Sequence, residues 1–246
     1  MIERQILTCR DAAELSERAA EEFVRLARRA IQLAGRFTVA LSGGSTPKAL
    51  YTRLALPAYA EQIPWDRVHL FWGDERSVPP DHPESNYRMV QESLLSKINI
   101  PAEHVHRIAG EKEPKVAVAE YEAELKRFFK LAGGALPRFD LIFLGLGEDG
   151  HTASLFPGSE ALNDSEHLVA AAYVEKLKAH RLTLTLPVLN EGVEVVFLIA
   201  GASKAGIVKE LLENETGARN FPAARIRPRD GKLIWMITAD AAPREI

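Results

Sequence analysis

The sequence predicts an α/β fold in which helices cover a mostly parallel central sheet, and three observations lead there. Near-continuous apolar runs at 37–41, 68–72, 139–144, 193–200 and 232–238 have the composition of strands buried on both faces. Stretches with apolar residues at three- and four-residue intervals, the spacing of covering helices, lie between several of them. Several runs also break directly into glycine and polar residues, as parallel sheets do on the edge that binds ligands.

In chain order, Asp11 with Glu14 three residues later reads as a helix start. Leu15, Ala19, Phe23, Leu26, Ala30 and Leu33 form the buried stripe as far as Gly35, and Arg18, Arg25, Arg28 and Arg29 are expected to be a solvated face. The first strand, 37–41, runs into Ser42-Gly43-Gly44-Ser45-Thr46-Pro47 before a helix expected over 48–54. Small residues at a strand-to-helix turn let backbone N–H groups approach an anion, and a helix N-terminus adds about half a positive charge. The spacing of a Walker A loop is absent.

The strand 68–72 ends in Gly73-Asp74-Glu75-Arg76, a charged strand terminus. Residues 77–87 are rich in Pro, Asp, Ser and Asn and predict an ordered loop leading into a helix through Leu95, with His82 and Asn86 able to face a site and His69 structural. Residues 98–113 connect through a short strand, and Pro114 opens a helix whose stripe is Val118, Tyr121, Leu125 and Phe128, ending near Gly133. Strands follow at 168–173 and, alternating, at 180–187. The run 193–200 ends in Gly201-Ala202-Ser203-Lys204, with a helix to about Leu212. Lys204 thus falls in a helix's first turn, where a cation is disfavoured unless an anion is near. The arginine-bearing segment 222–228 precedes the last strand. With no composition break longer than a loop, residues 1–246 are expected to form one domain.

The run from 139 breaks at Gly145, Gly147 and Gly150 around Glu148, Asp149 and His151. The glycines satisfy a dinucleotide fingerprint, yet they lie past mid-chain and place two carboxylates where a pyrophosphate would approach. A histidine two residues after an aspartate suits general-base work, because neutral imidazole takes a proton near pH 7 while a carboxylate orients it.

The bulk composition excludes several classes. Thirty-one basic against 34 acidic residues leave a net charge of −3, with no footprint for nucleic acid or a membrane surface. The single Cys9 rules out an internal disulfide and a cysteine-rich metal site. No secretory leader or bilayer-length apolar run is evident, so a cytoplasmic protein, monomeric or a weak homo-oligomer, is expected.

The segments 42–47, 72–76 with Ser85-Asn86-Tyr87, 147–157, 181–185 and 201–204 together resemble the motifs of the 6-phosphogluconolactonases, in order and over most of the chain. The resemblance implies a three-layer αβα fold shared with glucosamine-6-phosphate deaminases, ribose-5-phosphate isomerase and CoA transferases, and hydrolysis of 6-phospho-D-glucono-1,5-lactone without a cofactor or metal. The implied site comprises His151 as base, Asp149 as its orienting partner and Arg76 at developing negative charge. Ser42, Gly43, Gly44, Ser45 and Thr46 with Arg181 and Lys204 would cradle the phosphate, and Asp74 would hold a sugar hydroxyl or Arg76. Were Thr152 to start a helix, its dipole would help keep His151 neutral. The deaminases are the nearest alternative, but their motif carries a glutamate where this chain has Thr-Ala-Ser-Leu-Phe-Pro after His151. A non-catalytic sugar-phosphate-binding module is the other alternative, disfavoured because the first helix opens near residue 11 and leaves no room for a DNA-binding domain.

Overall fold

The computed structural model describes residues 4–175, 178–214 and 217–243. Its main sheet contains β1 (Arg4–Cys9), β2 (Phe37–Leu41), β3 (Val68–Trp72), β5 (Val105–His106), β6 (Leu141–Leu144), β9 (Glu194–Ile199) and β10 (Lys232–Thr238). The strands run in the order β1-β10-β9-β6-β2-β3-β5, every pair parallel. All five residues of β2, all four of β6 and all six of β9 are buried, which is why these strands read as near-continuous apolar runs.

Helices α1 (Ala12–Ala34), α2 (Ser45–Leu54), α5 (Pro114–Phe129) and α7 (Ala205–Glu213) flank this sheet, with shorter α3 (Pro57–Ala60), α4 (Asn86–Ser93) and α6 (Leu186–Leu189) between them. The caps are those the sequence signals. Asp11 accepts the Glu14 N–H at 2.9 Å, and Gly35 closes α1 with φ 74°, a left-handed conformation that favours glycine. Phe23 of α1 packs against Phe37, Trp65 and Phe143 at centroid separations of 5.2, 5.9 and 6.5 Å.

Three features depart from the sequence expectation. β1 was not expected at all: three of its six residues are partly buried and only Cys9 fully, so its apolar signal is weak. The strands 168–173 and 180–187 do not join the main sheet. They form β7 (Val169–Val174) and β8 (Ala179–Leu184), which pair antiparallel with each other, and β8 pairs antiparallel on its other side with β4 (Asp74–Arg76). Helix α2 also begins at Ser45 rather than Lys48, taking the small-residue turn into its first turn.

His69, His104 and His106 cluster near the start of β3, away from the glycine loops. His69 Nδ1 lies 3.2 Å from His106 Nε2, His106 Nδ1 lies 2.6 Å from Glu124, and the His69 ring centroid lies 3.9 Å from that of His104, tilted, and 4.7 Å from that of Phe128, edge-to-face. Burial, then His104, His106 and Arg36, push the His69 pKa down to about 4 from an ordinary 6.5. A depressed histidine pKa stabilises the fold above the unfolded value and is lost as pH falls from about 6.5 towards about 4. Urea unfolding should therefore cost about 1 kcal/mol less at pH 5 than at pH 7, after allowance for partial exposure. The same comparison on His69→Asn should show a smaller difference.

Candidate active site

Four loops meet because four adjacent parallel strands end on one edge. Leu41 pairs with Trp72, Ala40 with Ile142 and Leu144 with Phe197, so the segments after β2, β3, β6 and β9 leave the sheet side by side. Two buried tyrosines fix this edge. Tyr51 of α2 accepts the Ser42 N–H at 3.0 Å and donates to the Ser42 carbonyl at 2.9 Å; Tyr121 of α5 does the same for Trp72, at 3.0 Å each.

Together the loops enclose a cavity of about 250 Å³. Its walls contain Ser42, Gly43, Gly44, Ser45 and Thr46, then Asp74, Arg76, His151 and Lys204, all expected from the sequence. Asn86, Ala153 and the Leu198–Ala200 strand end also line it. The first-turn N–H groups of Ser45 and Thr46 have no acceptor within α2, which makes this turn a place for an anion. The Ser42 N–H is not available in that way, since Tyr51 takes it.

The loop after β6 is tightly folded. Gly150 N–H donates to the Gly147 carbonyl at 3.0 Å, Gly147 N–H to the His151 carbonyl at 2.9 Å, and Thr152 Oγ1 to the Gly145 carbonyl at 2.9 Å. Thr152 starts no helix. It forms an isolated antiparallel bridge with Leu155, and Ala153 between them takes φ 48°, so the expected helix dipole at Thr152 is absent. His151 instead stacks on Phe156 at 4.4 Å, with Nδ1 2.5 Å from Asp149 Oδ1. Burial raises the Asp149 pKa, but the side-chain bond, charge and backbone N–H of His151 outweigh it and hold the carboxyl below its usual value. An ionised carboxylate only accepts, so the imidazole donates from Nδ1, the tautomer whose neutral form carries its lone pair on Nε2.

Asp74 is buried. It accepts Ser154 Oγ at 2.6 Å, and Asn86 Nδ2 donates to its carbonyl at 2.9 Å. Asn86 lies so close to Gly43 that a Cβ there would stand 1.9 Å from its Oδ1, so the two loops interlock only with glycine at 43.

Glu75, 2% exposed, organises the next segment by accepting N–H bonds from Arg76, Asn86 and Tyr87 at 2.8, 2.7 and 2.8 Å and a bond from Ser85 Oγ at 3.2 Å. Burial pushes its pKa up while these donors pull it back. The Arg76 guanidinium in turn donates to the Glu84 carbonyl, so the loop that Glu75 clamps also holds Arg76. Glu75→Gln sets an amide NH₂ against this ring of donors and should cost about 1–3 kcal/mol of stability, read from the urea midpoint.

Arg181 departs from the expected cradle. It does not line the cavity with Ser42–Thr46; β4 and β8 pair it directly across from Arg76, and burial followed by the Arg76 charge lowers its pKa. His82 likewise accepts the Glu84 N–H within its own loop. Among the described residues, no group of three or more His, Cys, Asp or Glu side chains is arranged to hold a metal ion, and no helix is long and apolar enough to cross a membrane.

With this geometry in hand, similarity to known proteins is informative. The chain is 42% identical over 213 residues to the 6-phosphogluconolactonase of Nostoc sp., covering 86% of each chain. It is 44% identical to that of Synechocystis sp. over 87% of this chain and 86% of the relative. The crystal structure of the Thermotoga maritima 6-phosphogluconolactonase superposes with a TM-score of 0.81 at 30% identity, covering 96% of this chain and all of that one. The profile of the glucosamine-6-phosphate isomerase/6-phosphogluconolactonase family matches residues 10–235, and the chain belongs to that family.

Proposed function

We infer that this chain hydrolyses 6-phospho-D-glucono-1,5-lactone to 6-phospho-D-gluconate, with His151 as the general base. The observation that carries the inference is His151, which lines the cavity that also holds the α2 N-terminus and Lys204 and is backed by Asp149 at 2.5 Å. Relatives named 6-phosphogluconolactonases, more than 40% identical over most of the chain, support the substrate. No carboxylate occupies residues 152–157, where ring-opening deaminases carry theirs. One domain over 1–246 belongs to the same inference, and a hydrophobic cluster with members in both sheets supports it.

Lactone opening needs an activated water, a stabilised oxyanion and a proton for the departing ring oxygen. Nε2 of His151 removes a proton from water as its oxygen attacks the lactone carbon, and the carbonyl electron pair moves onto oxygen. Arg76 stabilises that charge, with Arg181 across the strand pair adding positive potential. As the carbon–ring-oxygen bond breaks, the imidazolium returns its proton to the ring oxygen, which leaves as a hydroxyl. Asp149 holds the Nδ1 proton throughout and keeps the ring oriented. Asp74 and Asn86 hold sugar hydroxyls. The phosphate, with about 1.5–2 negative charges, sits on the Gly43–Thr46 turn against Lys204, which offsets the misfit of a cation at a helix start.

The direct test is NMR of freshly made lactone with and without protein, corrected for spontaneous opening; an unchanged rate would remove the lactone as substrate. Lys204→Ala should raise KM about 10- to 100-fold, the worth of one charge-assisted hydrogen bond, with kcat nearly unchanged. A fall in kcat at constant KM would instead move Lys204 to the reacting end.

A further inference from the structure

The segment that leads into β10 carries three arginines that lactone hydrolysis does not use. Residues 225–229 read Arg-Ile-Arg-Pro-Arg, with Ile226 and Pro228 buried, so the period-two alternation turns the three guanidinium groups to the other side. Asn190 straps the segment down. Its Nδ2 donates to the Arg225 carbonyl at 3.1 Å, its Oδ1 accepts the Arg227 N–H at 2.6 Å, and its carbonyl accepts the Arg229 N–H at 2.9 Å. All three arginines wall a second cavity of about 350 Å³, whose apolar side is Leu162, Leu186 and Pro187.

The neighbouring charges leave this cavity positive. Arg225 Nη1 donates to Asn163 Oδ1 at 3.1 Å, Arg227 Nε donates to the Ala224 carbonyl at 3.2 Å, and Arg229 lies 3.4 Å from Glu191. Asp164 also lines the cavity, but its carboxylate accepts the N–H groups of Glu166 and His167 at 3.0 Å each and lies 3.0 Å from His167 Nδ1. Among the described residues neither Arg225 nor Arg227 has a carboxylate within ion-pair distance. In a chain of net charge −3, that convergence marks a concave spot where an anion is favoured.

We propose that this cavity is an accessory site for a small phosphomonoester, its phosphate gripped by Arg225 and Arg227 and its carbon skeleton lying on Leu162, Leu186 and Pro187. Paired guanidinium groups match a phosphate's geometry, and the space exceeds that of a bare ion. The site shares no residue with the catalytic cavity but adjoins its loop. Ala223 N–H donates to the Gly150 carbonyl at 3.0 Å, and a Cβ on Gly150 would stand 2.5 Å from the Phe221 ring.

The test is ¹H–¹⁵N NMR of the labelled full chain titrated with glycerol 3-phosphate, with glycerol as the neutral control. Arginine Nε signals of Arg225 and Arg227 and amides of 163–165 should move along one saturating curve that persists in Lys204→Ala. In R225Q/R227Q the amide curve should weaken at least tenfold, while lactone turnover stays at its wild-type rate; the Asn190 bonds, being to backbone, survive the change. Three results would each overturn the proposal: no saturating shift at these residues, an unchanged curve in R225Q/R227Q, or a curve that vanishes with Lys204→Ala. None of them bears on lactone hydrolysis, which is read separately from turnover.

Discussion

His151→Ala is expected to lower kcat by about 10²- to 10⁴-fold, the range for removing a general base, with little change in KM. The side chain is half-buried, touching Asp149 through Nδ1 and Phe156 through its ring face, and the loop around it is closed by bonds from Gly147, Gly150 and Thr152 that alanine leaves intact. The melting temperature should therefore move only slightly while turnover collapses. Initial rates need subtraction of uncatalysed lactone opening, which sets the floor of the assay. A variant turning over at the wild-type rate at neutral pH would take His151 out of the chemistry and leave Asp149 without a role.

Gly147→Ala is expected to abolish nearly as much activity without touching a reacting group. A Cβ on Gly147 would stand 2.0 Å from His151 Nδ1, 2.2 Å from its Cε1 and 2.7 Å from Asp149 Oδ1. The Gly147 backbone φ is not positive, so alanine is tolerated locally and the imidazole–carboxylate pair must give way. Displacing a catalytic group by about 1 Å costs on the order of 10²-fold in rate. Because both substitutions act through the same imidazole, the double variant G147A/H151A should be no slower than His151→Ala alone. Wild-type kcat in Gly147→Ala would show that the pair need not sit over this glycine to work.

Much of the frame was legible in the sequence because it depends on local rules. Asp11 and Gly35 bound α1 through capping chemistry, and the apolar runs of β2, β3, β6 and β9 announce strands with no exposed face. The loop residues were also legible, since glycine and polar side chains directly after such strands share one edge whatever the order of the strands. β1 was not, because an edge strand covered on one side carries only a partial apolar pattern.

The sequence by itself determined the covered parallel sheet, its ligand edge and the chemical types gathered there, from His151 and Asp149 to Ser45 and Lys204. Only the tertiary structure decided how those groups face one another. Strand pairing took β4, β7 and β8 into a separate antiparallel sheet and set Arg181 across from Arg76 instead of in the phosphate turn. Contacts between residues 80 and 43 positions apart joined Ser154 to Asp74 and Asn86 to Gly43. Such long-range contacts leave no periodicity in the chain, because hydrogen bonding and close packing depend on distances in space and not on spacing along the sequence.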